Sequence, residues 1–253
     1  MEAQLCDLGL RTWNQHYTTS DGHASRNIEA TLVGTDPGST LIIGAHYDSV
    51  DCPGANDNAS GVACLLEIAR SMTERESSPR STIRFVGFTN EEPPYFYTGD
   101  MGSRVYAQEV IDRREQVLGM ICLETIAYYS DELGSQMIPP ILRPFFDHDV
   151  GDFIGFFSNN ESRDFLRNVV GAFRQYAEVP SEGLAAPSVV QGLNFSDHAS
   201  FWRVGYNAVM VTDTAFMRYE HYHRSSDTPD ELEWTRFTKV TDGLTKAVME
   251  LSG

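Results

Sequence analysis

Apolar residues occur along this chain in short blocks, and the spacing inside the blocks switches between two periods. Residues 28–33, 41–45, 82–88, 117–123, 152–157 and 208–212 are compact, β-branched or aromatic runs of strand length. Between them, residues 59–72, 103–110, 162–176 and 237–251 repeat their apolar positions at helical spacing, and Ser196 stands where it can cap a short helix through Trp202. Strand and helix therefore alternate, which predicts an α/β fold: one α/β/α sandwich with a central mixed, mostly parallel sheet flanked by helices. The segment 34–38 is too short for a helical crossover, so the strands at 28–33 and 41–45 are expected to pair antiparallel.

Composition narrows the picture. A chain of 253 residues, 41% hydrophobic, with no Pro/Ser-rich linker, reads as one domain over 1–253. The formal net charge of -17 disfavours nucleic acid and anionic membrane as partners, because both would be repelled. No apolar run reaches membrane-spanning length and no signal peptide is visible, so the expected location of the chain as written is cytoplasmic, although a removed leader would leave no trace. Cys64 and Cys122 fall in apolar elements and read as small buried hydrophobes. Cys6 and Cys52 have no such setting, and no disulfide framework is implied.

The chemistry lies in where acids and imidazoles fall relative to the strands. His46 and Asp48 follow one strand, Glu91 and Glu92 follow another, and Glu124 follows a third. Open α/β sheets bind ligands at the carboxyl ends of their strands, so these groups can share one crevice. His46 and Asp48, two residues apart, point to the same side, which lets one ligate a metal while the other orients it. Asp57 sits at a helix start among the small residues Gly54, Ala55, Ala59, Ser60 and Gly61, which let backbone approach an ion closely. His223, in the loop 221–229, reads on pattern alone either as a ligand or as a surface histidine, and His221 as an exposed one. Asp197 and His198 read as a helix-start acid and a hydrogen-bonded structural histidine as readily as pocket residues. The tract Asp147-His148-Asp149 reads as a solvated loop, and the aromatics Tyr95, Phe96, Tyr97, Tyr128, Tyr129, Phe156 and Phe157 as core or as the lining of a specificity pocket.

Taken together, six ordered motifs resemble the zinc aminopeptidases of clan MH, which include aminopeptidase Y, bacterial leucyl aminopeptidases, glutamate carboxypeptidase II and glutaminyl cyclase. They are His46-Tyr47-Asp48-Ser49, Gly54-Ala55-Asn56-Asp57-Asn58-Ala59-Ser60-Gly61, Asn90-Glu91-Glu92, Leu123-Glu124, Ser196-Asp197-His198, and His223 followed by Asp227-Thr228. The resemblance covers nearly the whole chain from Asn27. It implies that Asp57 bridges two Zn²⁺ ions, with His46 and Glu124 completing one site and Glu92 and His223 the other. Glu91 would be the general base, and Asp48 would support His46. It also implies a metal-bridging hydroxide, a cis peptide between Asp57 and Asn58, and peptides with a free amino terminus as substrates. Two Zn²⁺, three ligand carboxylates and a hydroxide make a neutral cluster, so the set is balanced in charge. Two departures stand out. Some members have a phenol shortly before Ser-Asp-His where this chain has Gly192-Leu193-Asn194-Phe195, and many have Asp where Glu124 stands. The alternatives are a single-zinc glutaminyl-peptide cyclotransferase and a non-catalytic binding domain of the same fold. The first is disfavoured by the retention of His46, the second by the retention of every ligand.

Overall fold

The computed structural model describes residues 1–140, 143, 149–190 and 192–253, and no side-chain description applies to Pro37. Asp147 and His148 of the acidic tract lie outside these residues. The element order is α1 (Glu2–Asp7), β1 (Arg11–Thr18), β2 (Ala24–Leu32), β3 (Asp36–His46), α2 (Gly61–Thr73), β4 (Ser81–Phe88), α3 (Gly102–Asp112), β5 (Val117–Glu124), β6 (Ile154–Ser158), α4 (Arg163–Tyr176), β7 (Ser181–Ala185), α5 (His198–Arg203), β8 (Ala208–Thr212) and α6 (Trp234–Ser252). All the strands join one sheet in the order β1-β2-β4-β3-β5-β8-β6-β7. Pairing is parallel between β3 and β4, β3 and β5, β5 and β8, and β6 and β7, and antiparallel elsewhere, so the sheet is mixed.

Alternation along β3 builds both layers. Leu41 and Ile43 point into a core shared with Cys64, Leu65 and Ile68 of α2, Phe173 of α4 and Leu244 of α6. Ile42, between them, points the other way, onto Tyr106 and Val110 of α3 and Phe201 of α5. Helices thus cover both faces, and the central strands are apolar on both sides because both are buried. Each fully buried Ile or Leu contributes about 1.5–3 kcal/mol, which makes this central strip intolerant of polar substitution.

The expected pairing of 28–33 with 41–45 is corrected. β4 lies between β2 and β3, antiparallel to the first and parallel to the second. Residues 33–35 cross over the start of β4, with Thr35 N–H bonded to Pro79 O at 3.0 Å and Asp36 N–H to Arg80 O at 2.7 Å. A short link therefore skips one strand, about 10 Å of sheet, instead of forming a hairpin. Gly34 makes this possible, since a Cβ there would overlap the main chain of Ser81 and Thr82. Two edge strands and the first helix were not anticipated. β1 and β7 are largely polar, half-exposed strands with no apolar run to mark them. α6 starts earlier than the apolar spacing indicates because the Glu233 carboxylate accepts from Thr235 and Arg236 N–H at 3.1 and 2.8 Å. Cys64 and Cys122 are buried as expected, and no described cysteine is in a disulfide.

Gly34→Ala is expected to destabilise the fold by about 1–3 kcal/mol, the usual cost of overpacking against unyielding atoms. Urea denaturation checks it, and an unchanged midpoint would mean that the crossing does not hold the strand order.

Candidate metal centre

The carboxyl ends of β3, β4 and β5 open on the same edge, and the loops that leave them are braced by buried carboxylates. Asp227 accepts from the main-chain N–H of Asn56 and Asp57 at 2.8 and 3.2 Å, and is itself held by the Tyr219 hydroxyl at 2.8 Å. Asn56 donates to Asp213 at 2.9 Å and accepts from Ala127 N–H at 3.0 Å. Asn58 donates to Leu123 O at 2.8 Å and accepts from Gly61 and Thr125 N–H at 3.1 Å. The two asparagines therefore tie the 55–60 segment to the end of β5, with Asp57 between them. Gly61 allows the approach, because a Cβ would lie 2.6 Å from Leu123 O. The Asp57–Asn58 peptide is cis, as the resemblance implies.

All five proposed ligands converge. His46, completely buried, presents Nε2 to Asp57 Oδ1 at 3.1 Å and to Glu124 Oε2 at 3.4 Å. His223 presents Nε2 to Asp57 Oδ2 at 3.0 Å and to Glu92 Oε1 at 3.1 Å. His46, Asp57 and Glu124 form one cluster and Asp57, Glu92 and His223 another, with the donor atoms of each within 4.8 Å of one another. His46 Nε2, Asp57 Oδ2 and Glu92 Oε1 are buried and make no aligned hydrogen bond. Buried nitrogen and oxygen atoms that face one another without such a bond fit divalent cations, and two imidazoles with three carboxylates are a donor set suited to zinc.

Asp48 plays a wider part than support for His46. Nδ1–H of His46 donates to the main-chain O of Asp48 at 3.0 Å, while the Asp48 carboxylate lies 3.6 Å away. That carboxylate accepts from the main-chain N–H of both Glu91 and Glu92, each at 3.2 Å. It thereby fixes the turn from which the two glutamates diverge. Ser196 does not cap α5: its hydroxyl donates to Glu124 Oε2 at 2.6 Å, which orients that carboxylate. His198 is structural, donating from Nε2 to Leu193 O at 2.7 Å, and burial pushes its imidazole down to about 4. His221 is half-buried rather than exposed, because it packs on Tyr219 and reaches Ser226 Oγ at 2.8 Å.

Electrostatics follow from burial among like charges. Burial raises Glu91 well above the ordinary carboxylate range despite His46 nearby, with Glu124 and Asp197 adding to the rise. Burial also raises Glu124, and brings Asp197 up to about 7. Asp57 resists its burial and falls to about 2 because the His223 and His46 imidazoles lie against it, at 3.0 and 3.1 Å. Burial opposes charge on the imidazoles, but the carboxylates prevail. Glu124 and Glu91 hold His46 well above its usual value, and Asp57 and Glu92 bring His223 to about 10.

An apolar cavity adjoins Glu124, lined by Phe157, Leu193, Phe195, Met210, Phe216 and Tyr222. Of the aromatics considered from sequence, Phe157 lines it, whereas Tyr129 and Phe156 are core. Tyr222 was missed. Its ring stacks on His223 at 3.9 Å and 15°, and its phenol is pushed upward by burial, with Asp57, Glu124, Glu91 and Glu92 adding to the rise. Neighbours in extended chain diverge, but His223 has φ of 57°, and the turn brings both rings to one side. The available signal was a phenol beside a candidate ligand in a chain lacking one at 192–195.

Residues 27–248 match the family described as Peptidase family M28. The chain belongs to peptidase family M28. Within that family's reach it is similar to the uncharacterized protein YfbL of Escherichia coli strain K12, 36% identical over 245 residues that cover 93% of this chain and 74% of that protein. A probable leucine aminopeptidase 1 of Trichophyton verrucosum is 25% identical, over 90% of this chain and 58% of the relative. The fold of this M28 chain resembles that of LapB from Legionella pneumophila, with a TM-score of 0.78 at 19% identity over 99% of this chain and 63% of that one. It also resembles a glutaminyl cyclase from Fimbriiglobus ruber, with a TM-score of 0.67 at 18% identity over 98% and 84% of the two chains. The chain thus spans under two thirds of the leucine aminopeptidase and of LapB.

In the metal-free M28 chain, His223 gains a proton on folding, its imidazole rising from 6.5 to about 10. The stability this contributes is full below pH about 6.5 and is lost as pH rises toward 10. A metal must displace that proton, so metal binding is expected to release protons at pH 8 and to weaken as pH falls. Calorimetry in two buffers of different ionisation enthalpy checks it, and binding without proton release would contradict a protonated His223 in the metal-free chain.

Proposed function

We propose that this chain is a dizinc metallo-aminopeptidase that removes the amino-terminal residue of peptides. The observation that carries the reading is Asp57, whose Oδ1 faces His46 at 3.1 Å and whose Oδ2 faces His223 at 3.0 Å. A carboxylate with one oxygen toward each imidazole has the disposition of a bridge between two cations. Two Zn²⁺, held by His46, Asp57 and Glu124 and by Asp57, Glu92 and His223, would polarise the scissile carbonyl and acidify water.

The remaining work belongs to the chain's own side chains. Glu91 is buried beside the clusters without belonging to either, which suits a group that takes a proton from the attacking water and returns it to the departing amine. Its upward displacement by burial moves it toward the range in which it can both accept and give that proton. Tyr222, stacked on His223 and lining the cavity with Glu124, can donate its O–H to the oxygen that gains charge as the carbonyl is attacked. It thus supplies from the 221–229 loop the phenol that the stretch 192–195 lacks. The substrate's α-ammonium is drawn by Glu91, the carboxylate outside the charge-balanced cluster, and the side chain of its first residue fits the apolar cavity beside Glu124. The cyclotransferase reading is less well supported, because the cluster containing His46 is complete.

Glu91→Gln keeps the shape and loses the proton acceptor, so turnover is expected to fall by about 10² or more with metal content intact. Tyr222→Phe is expected to lower kcat by about 10–10³ with little change in KM. Glu92→Gln weakens metal binding instead. Metal analysis beside kinetics separates these, and metal loss in Glu91→Gln but not in Glu92→Gln would exchange the two roles.

Acetylating the peptide's amino terminus removes its charge and adds bulk where the pocket closes, so cleavage should collapse by about 10² or more, whereas extension at the carboxyl end should matter far less. Mass spectrometry of free, acetylated and extended peptides reads this directly. Equal cleavage of free and acetylated peptides would overturn the aminopeptidase reading.

A further inference from the structure

The chain carries a net charge of -17, yet two of its clefts are lined by arginines. Arg104 of α3, half-buried, and Arg203 in the last turn of α5 line the same two adjoining clefts. Neither makes an ion pair among the described residues, and Glu161, which also lines one cleft, bonds to neither. Arg104 lies 5.7 Å over the ring of Tyr97, and its acidity is increased by burial and by the charge of Arg203. Like charges brought together without a carboxylate are unfavourable. The carbonyls at the end of α5 offset part of this for Arg203 but do nothing for Arg104.

The clefts meet the wall of the metal-side cavity at Tyr97 and Asn194, which line one of them. The Tyr97 hydroxyl donates to Asn194 O at 2.8 Å, and its ring packs against Phe195 at 6.2 Å. Leu193 and Phe195, on either side of Asn194, line the cavity beside Glu124 and Tyr222. Tyr97 therefore lies between Arg104 and the 193–195 segment that lines the cavity beside Glu124.

We propose that Arg104 and Arg203 form a subsite for a carboxylate on the departing portion of a peptide substrate, reached across Tyr97. The proposal rests on the aminopeptidase reading. A peptide whose ammonium end is drawn to the acidic centre has an anionic far end that the rest of the surface repels. Two planar guanidiniums are the complement that would receive it, and they would favour short peptides over those whose far end is uncharged.

The test compares peptides of about two to about six residues, a span of about 3.3 Å per residue, each as free acid, as amide, and as amide with a terminal Asp. At the length that spans the gap, KM for the acid is expected to be about tenfold below that of the amide with kcat unchanged, the scale of one charge-assisted hydrogen bond. Recovery of the low KM by the Asp amide would show that a side-chain carboxylate serves as well as a terminal one. The double variant Arg104→Gln/Arg203→Gln should bring acid and amide within about twofold of each other. Retention of the difference in that variant, or its absence at every length in the unaltered protein, would overturn the subsite. Calorimetry with zinc-loaded Glu91→Gln protein reads the same ratio without turnover, so equal affinities there overturn it even where cleavage fails. Equal cleavage of acid and amide would remove the subsite and leave the aminopeptidase reading intact. Arg203→Gln alone should leave the melting temperature unchanged or raised, whereas a structural role would lower it.

Discussion

Five buried carboxylates, those of Asp57, Glu91, Glu92, Glu124 and Asp197, are gathered at one edge of the sheet, and among the described residues the nitrogens that face the ligand carboxylates are the imidazoles of His46 and His223. Unpaired buried charge is costly, so this grouping persists only if protons or cations are held there. That requirement governs the local structure. It accounts for imidazoles that keep their protons, for Glu91 and Asp197 driven upward, and for Asp57 held low between two histidines.

A second ring of carboxylates makes the first possible. Asp48 grips the amides of Glu91 and Glu92, Asp227 those of Asn56 and Asp57, and Asp213 those of Tyr128 and Ala215. Each ends on main-chain N–H groups rather than on the centre itself, so the acids of the outer ring are satisfied by the backbone they position. The ligands therefore come from β3, β5 and three loops far apart in sequence, yet are fixed by contacts that are local in space.

How much of this was legible depended on periodicity. His46, Glu91, Glu92 and Glu124 stood directly after apolar runs, where strand ends converge, and small residues around Asp57 marked a close approach. The strand order was not legible, because nothing in residues 33–35 tells a hairpin from a link that skips a neighbour until Gly34 is seen against Ser81. β1 and β7 escaped because edge strands need no apolar alternation. Asp48 was read as a partner of one histidine, whereas its carboxylate spends both oxygens on a backbone turn that no spacing announces. Tyr222 escaped because its orientation depends on the positive φ of the residue after it.

The account turns on Asp57 as a bridge, and anomalous scattering at the zinc edge from zinc-loaded crystals examines that most directly. Two peaks about 3.5–4 Å apart, one on the His46 and Glu124 side of Asp57 and one on the Glu92 and His223 side, are predicted. A single peak at full zinc loading, or a pair that leaves either Asp57 oxygen uncoordinated, would contradict it.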